Sequence, residues 1–366
     1  MHRWWSLLLA LVAVTIGVVA VAAAAVASGE VPCGIVSTQP ACEVALVPGP
    51  TEDTIGLVRI EGATTFPSTG ELLLTTVAVR DGLDLGTWWE ARRSTTVDTV
   101  PRETIYPPDL DPTETAEQNA LLMEDSQMTA ALAALSVAGY DVDGAATGAA
   151  VAAIESDAVT DALTVGDVIT GVDGTEVRDA ASLVDQVVAS SPGDEATLQV
   201  RAEDGTTRSV DVTYGRNPAD RTRAYIGVLL RTELDLPVDI SIDAGVIGGP
   251  SAGLMFALGV LDLLGDEDLT GGAIVAGTGT IDVDGRVGPV GGVRQKLVGA
   301  TDRGGVSEPA AVFLVPRANL AEARRAPVGR DLLLVPIDDL SGALAALDAL
   351  RDGREPAEAF ALRAAS

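Results

Sequence analysis

A chain of 366 residues is too long for one typical core, so two or three domains are expected. With 47% hydrophobic but only 3% aromatic residues, the cores must be built mainly from Val, Leu, Ile and Ala. A net charge of −29 argues against nucleic acid, which needs a surface of lysine and arginine, and disfavours an anionic lipid surface; solubility is its simplest reading.

Residues 6–27 carry no charge. As a helix they would be about 33 Å long, enough to cross a hydrocarbon core of about 30 Å. Arg3 precedes them and Glu30 follows, so the positive-inside rule leaves the N-terminus cytoplasmic and the bulk extracytoplasmic. A cleaved leader is the rival reading, because Ala25-Val26-Ala27 resembles a cleavage site. The apolar run exceeds the usual h-region of about 7–15 residues, so 1–27 is read as an uncleaved single-pass anchor in the cell membrane.

Residues 28–53 read as a linker. Its Cys33 and Cys42 are the only cysteines, and their closeness in an oxidising compartment predicts a local disulfide. The only histidine is His2, which excludes Ser-His-Asp and Cys-His hydrolases and His-ligated zinc from the rest of the chain. No metal or other cofactor is expected. Residues 54–134 read as a mixed module: short alternating runs as strands, a proline-bearing loop over 101–112, and a helical stretch over 114–139 with Met123, Met128, Leu132 and Leu135 able to share a face.

Residues 135–215 read as strands, turns and one helix. The pattern Leu163, Gly166, Asp167, Ile169, Val172, Asp173, Gly174, Val177 resembles the PDZ domains of exported bacterial proteases. The resemblance implies an extended peptide added beside an edge strand, with its carboxylate loop near Thr147, Gly148, Ala149, Ala150 and Val151. From residue 224 to 350 strands and helices alternate, which implies an α/β domain, with 351–366 as a tail.

Two stretches of that last region carry chemistry. In Ile247-Gly-Gly-Pro-Ser-Ala-Gly253, Ser251 stands where a helix begins. Unpaired N–H groups there could stabilise an oxyanion, or the serine could merely cap the helix. Lys296 is the only lysine among the 24 lysines and arginines. Its Leu297 neighbour rules out the G-K-[ST] of a P-loop. A guanidinium stays charged at physiological pH, whereas an ammonium can be shifted. With no histidine available, a serine nucleophile needs a lysine base, lowered from about 10.4 to roughly 7–8.

The two motifs, Pro250-Ser251-Ala252-Gly253 and Gly285, Val287, Val290, Gly291, Gly292, Lys296, resemble the Ser-Lys proteolytic domain of the Lon family. The family's T-G-x-I threonine falls on Thr278, which the resemblance implies hydrogen-bonds the lysine. Backbone N–H groups near Gly249 and Ser251 would hold the oxyanion. Gly248 stands where the cytosolic ATP-dependent enzymes have an acidic residue; the whole chain resembles instead the membrane-anchored PDZ-plus-Lon-like proteins, which lack an ATPase.

The expected fold is thus α/β (α+β), with a transmembrane helix, a mixed module, a PDZ domain and a Lon-type proteolytic domain. The expected function is an exported, ATP-independent serine endopeptidase acting on extended or unfolded polypeptides, with a homo-oligomeric ring implied by the resemblance. The rivals are a PDZ-based binding protein with an inactive Lon-like scaffold, and a Ser-Lys amidase or esterase.

Overall fold

Residues 71–80, ELLLTTVAVR, form a strand whose Leu72, Leu73 and Leu74 are all buried. Successive side chains on a strand point to opposite faces, and here both faces are covered: Leu72 and Leu74 lie in one core, Leu73 in another. A strand covered on both sides belongs inside a sheet that carries helices on both faces.

The computed structural model describes residues 33, 38–107, 112–142, 144–156, 158–218, 220–301, 309–328, 332–356 and 360–362. The chain begins with β1 (Glu43–Asp53), α1 (Thr54–Leu57), β2 (Val58–Glu61), β3 (Glu71–Arg80), α2 (Leu85–Arg93), β4 (Asp98–Pro101) and the long α3 (Pro112–Val137). It continues through β5 (Ala146–Ile154), β6 (Val168–Val172), β7 (Thr175–Glu176), α4 (Ala180–Ala189), β8 (Glu195–Arg201), β9 (Thr207–Thr213), β10 (Gly215–Arg216), β11 (Ala224–Tyr225) and β12 (Val228–Leu234). The last part holds β13 (Asp239–Ile242), α5 (Gly253–Leu264), β14 (Ile274–Gly277), β15 (Thr280–Ile281), β16 (Val287–Gly288) and α6 (Val293–Thr301). After these come β17 (Val312–Pro316), α7 (Leu320–Ala323), β18 (Leu332–Ile337), α8 (Leu340–Arg351) and β19 (Phe360–Leu362).

These elements form two compact units, 1–138 with 240–366, and 139–239. The first is built on a sheet of order β19-β18-β17-β14-β3-β1-β4. The central pairs β3–β14, β14–β17 and β17–β18 are parallel, and the flanking pairs are antiparallel. One face packs on α3, α5 and α8, the other on α6 and α7. From Gly253 to Asp262 every residue of α5 is buried, which is why its sequence is apolar nearly all round.

The second unit has an antiparallel sheet of order β12-β5-β6-β8-β9, with β7 on β6. Its core gathers Leu163, Ile169, Leu183 and Leu198. The Leu-x-x-Gly-Asp pattern earns its place locally. Asp167 accepts bonds from the Thr164 amide and from Arg208, and so ties the turn 164–167 to β9. Burial pushes this carboxyl up, but the Arg208 and Thr164 bonds outweigh that and hold it below the usual range.

Several expectations change. Residues 54–134 are not a module apart, because β3 pairs with β1 on one side and β14 on the other. Residues 224–350 are not a domain apart, because β12 is hydrogen-bonded to β5 in the second unit. The expected Lon-type domain over 224–350 therefore does not hold as a fold: its sheet is incomplete without residues 43–101. Among the described residues no helix is long and apolar enough to cross a membrane, which counts against the expected transmembrane architecture and single-pass cell-membrane placement. The 26-residue α3 has the length, but it carries Glu114, Glu117, Glu124 and Asp125. The expected span, 6–27, lies outside the described residues. Cys33 and Cys42 are disulfide-bonded, with Cα atoms 5.6 Å apart.

Candidate active site

The parallel strand β14 ends at Gly277, and the chain turns away through Thr278 and Gly279. Open α/β sheets characteristically place their sites beyond the carboxyl ends of such strands. Ser251 reaches this point from the face that carries α5, immediately before that helix. The Ser251 carbonyl accepts the Gly279 amide at 2.9 Å and the Thr278 hydroxyl at 3.0 Å, while the Leu254 amide donates to Gly279 O at 3.1 Å. This double strap needs close approach: a Cβ on Gly253 would lie 2.9 Å from Ile281 Cγ2 and 3.0 Å from Ser126 Oγ.

Lys296 arrives from the opposite face, on α6, with 3% of its surface exposed. Its Nζ lies 2.5 Å from Ser251 Oγ and donates to Thr278 Oγ1 at 2.9 Å. Thr278 is itself 1% exposed, so the amine meets two hydroxyls in a nearly dry setting. Burial alone pushes the Lys296 amine from its ordinary 10.5 down to about 7. A neutral amine can accept the Ser251 O–H, so the pair can exchange a proton near neutral pH. The capping alternative for Ser251 is not realised: the N-cap of α5 is Ala252, with no side-chain capping bond.

Of the expected oxyanion donors, the Ser251 amide meets no backbone or side-chain acceptor among the described residues. The Gly249 amide is engaged, donating to Asn119 O on α3 at 2.8 Å. A cavity of about 340 Å³ opens over the pair, lined by Leu74–Ala78 of β3, Val246–Gly248 and Gly291.

The expected peptide loop, Thr147, Gly148, Ala149, Ala150 and Val151, lies elsewhere than its role requires. All five residues are inside β5, which is paired to β12 on one edge and β6 on the other. Neither edge can accept a further strand. A Cβ on Gly148, at φ +149°, would lie 2.8 Å from Ile169 O, so this stretch is pressed against β6. Among the described residues the sheet ends at β12 and at β9, and an apolar groove lies beside β12, between α4 (Leu183, Val184, Val187) and 224–230.

Residues 130–214 match the family model described as PDZ domain. The chain therefore contains a PDZ domain, and this supports peptide binding. Over 98 residues the chain is 36% identical to Lon protease 2 of Herpetosiphon aurantiacus, a stretch that covers 26% of this chain and 11% of that protein. The chain thus spans only a small part of that relative's length. Similar solved structures include the PDZ domain of the SdrC-like protein of Listeria monocytogenes (21% identity, TM-score 0.21, 23% of this chain and 87% of that one). The corresponding domain from Listeria innocua stands at 19% identity and TM-score 0.21, covering 23% of this chain and 92% of that one.

Sequence reasoning missed the residues that hold the pair in place. Ser126 of α3, buried, donates to Pro250 O at 3.1 Å, and Asn119 holds Gly249. Asn319 accepts the Val290 amide and donates to Val290 O, which pins the loop leading into α6. Asp98 accepts from Arg294 and Gln295, the two residues before Lys296. One signal existed for Ser126: it lies three residues after Met123 and four before Ala130, a polar residue within a buried stripe.

Proposed function

We propose that this chain is a serine-type peptidase with Ser251 as nucleophile and Lys296 as base. One observation carries the reading: a buried amine 2.5 Å from a serine hydroxyl, with no carboxylate pairing it among the described residues. Ser251 Oγ attacks the peptide carbonyl carbon while its proton passes to Nζ. The same proton then goes to the leaving amine, the C–N bond breaks, and an acyl ester on Ser251 remains. Water, deprotonated by the neutral Lys296, attacks the ester carbon; the bond from that carbon to Oγ breaks, Nζ returns the proton to Ser251 Oγ, and the acid leaves. Thr278 Oγ1 fixes the amine, and the Ser251 amide supplies one oxyanion donor.

The 340 Å³ cavity beside β3 suits an extended segment rather than a folded surface. In this reading the PDZ domain binds peptide along the edge of β12. The one lysine is used at this site and no G-K-[ST] stands in the chain, so cleavage proceeds without ATP hydrolysis by this chain. The local likeness to Lon protease 2 supports the reading. A peptide-binding protein without catalysis is the second reading, favoured by the engagement of the Gly249 amide with Asn119 O.

The test compares wild type, Ser251→Ala and Lys296→Arg on an unfolded casein-type substrate, with a serine-directed phosphonate label as second readout. Both variants should lose activity by at least about a thousandfold. Lys296→Arg keeps the charge but cannot surrender the proton, so wild-type cleavage by this variant sinks the proposed base. A wild type that neither cleaves nor labels favours the binding protein.

A further inference from the structure

A cavity of about 590 Å³ lies between the end of α2, the segment 94–97 with the start of β4, α6 and the turn after α7. Its charged lining is four guanidiniums, Arg92, Arg294, Arg324 and Arg325, against one carboxylate, Asp98. The chain as a whole holds 53 acidic residues against 24 lysines and arginines, so composition alone would make this cavity acidic. We infer that it is a binding site for a small polyvalent oxyanion of the phosphate or pyrophosphate class.

Guanidinium forks match tetrahedral oxyanions in geometry as well as charge. Two of these forks are held in position before any ligand arrives, which lowers the ordering cost of binding. Arg92 donates to the buried Glu43 at 2.8 Å and lies 5.1 Å over the Trp88 ring. Arg294 donates to Asp98 Oδ1 and to Thr95 O, each at 2.8 Å. Asp98 is shared with Gln295, whose Nε2 lies 2.7 Å from Oδ2. The Arg294 Nε is buried and has no hydrogen-bond partner among the described residues. A buried donor without an acceptor calls for a ligand or a water. Arg325 is exposed, and no ion pair engages its guanidinium among the described residues. The volume falls within the roughly 300–1,000 Å³ of small-molecule sites, which leaves room for an organic group behind the phosphate. The cavity touches neither Ser251 nor Lys296, so the inference stands apart from the peptidase reading.

The experiment is calorimetric titration of the full chain with inorganic phosphate, pyrophosphate and glucose 6-phosphate, at ionic strength matched with chloride. The matching matters because any salt screens a chain of charge −29. Saturable binding of pyrophosphate is expected, weakened by about tenfold or more in Arg325→Glu. Arg325→Lys should retain most of the binding, and Arg354→Glu, outside the cavity, all of it. Stronger binding of glucose 6-phosphate than of inorganic phosphate would identify a phosphorylated metabolite as the source; the reverse would identify free phosphate. Absence of saturable binding to wild type overturns the site. So does equal affinity in Arg325→Glu, or an equal loss in Arg354→Glu.

Discussion

Lys296 gives the molecule a pH-dependent contribution to stability above neutral pH. Its amine is near 7 when folded and 10.5 when free, so between those values the unfolded chain binds more protons. Stability therefore rises with pH across that window, and the full penalty for burying the ammonium applies below it. The shift corresponds to a penalty of up to about 5 kcal/mol. Lys296→Met keeps the length and removes the charge. It should raise the urea midpoint at pH 6, and its advantage over wild type should shrink towards pH 10. A pH-independent difference would mean the amine is not shifted. Under the proposed mechanism kcat/KM rises with pH through about 7 and then levels, because only the neutral amine accepts the serine proton.

At the scale of elements, α3 holds the loop that carries Ser251. The spacing of Met123, Met128, Leu132 and Leu135 predicted its apolar face, and Met123 and Leu135 are buried. The buried stripe is nevertheless completed by Ser126, Ala130 and Ala134 rather than by Met128 and Leu132. Small residues there permit close approach to α5, a property of the partner helix that periodicity does not reveal. Ser126→Ala removes the bond to Pro250 O and should cost about 1 kcal/mol of stability. If the latch positions Ser251, kcat falls severalfold with KM little changed; an unchanged kcat leaves Ser126 a purely structural residue. In the PDZ domain the sequence located the Leu-x-x-Gly-Asp turn, whose Asp167 is fixed by local bonds. It misplaced the peptide edge, because strand order depends on β12, more than 70 residues along the chain from the β5 it covers.

For the whole molecule, two units imply two foldable pieces of different kind. Residues 139–239 contain a complete sheet and core, so this fragment should unfold cooperatively by circular dichroism. Residues 224–366 hold the serine, the lysine and the threonine, yet lack β1 and β3. That fragment should fail to fold, with Leu314 and Phe313 deprived of a completed sheet. A well-dispersed native spectrum from it would contradict the shared sheet described above.

By itself, the sequence determined which chemistry is possible. It holds one lysine, no histidine beyond His2, a serine before an apolar helix, and a PDZ pattern readable from turn residues and strand alternation. These are properties of residue type and short spacing, which local chemistry dictates. Only the tertiary structure decided that Ser251 and Lys296, 45 residues apart on opposite faces of a sheet, meet past the end of β14. It also decided that β3 walls the cavity, that Asn119 engages Gly249, and that four arginines share a pocket in an acidic chain. Those facts rest on pairings between distant strands and helices, and no periodicity within a strand records which neighbour it will find.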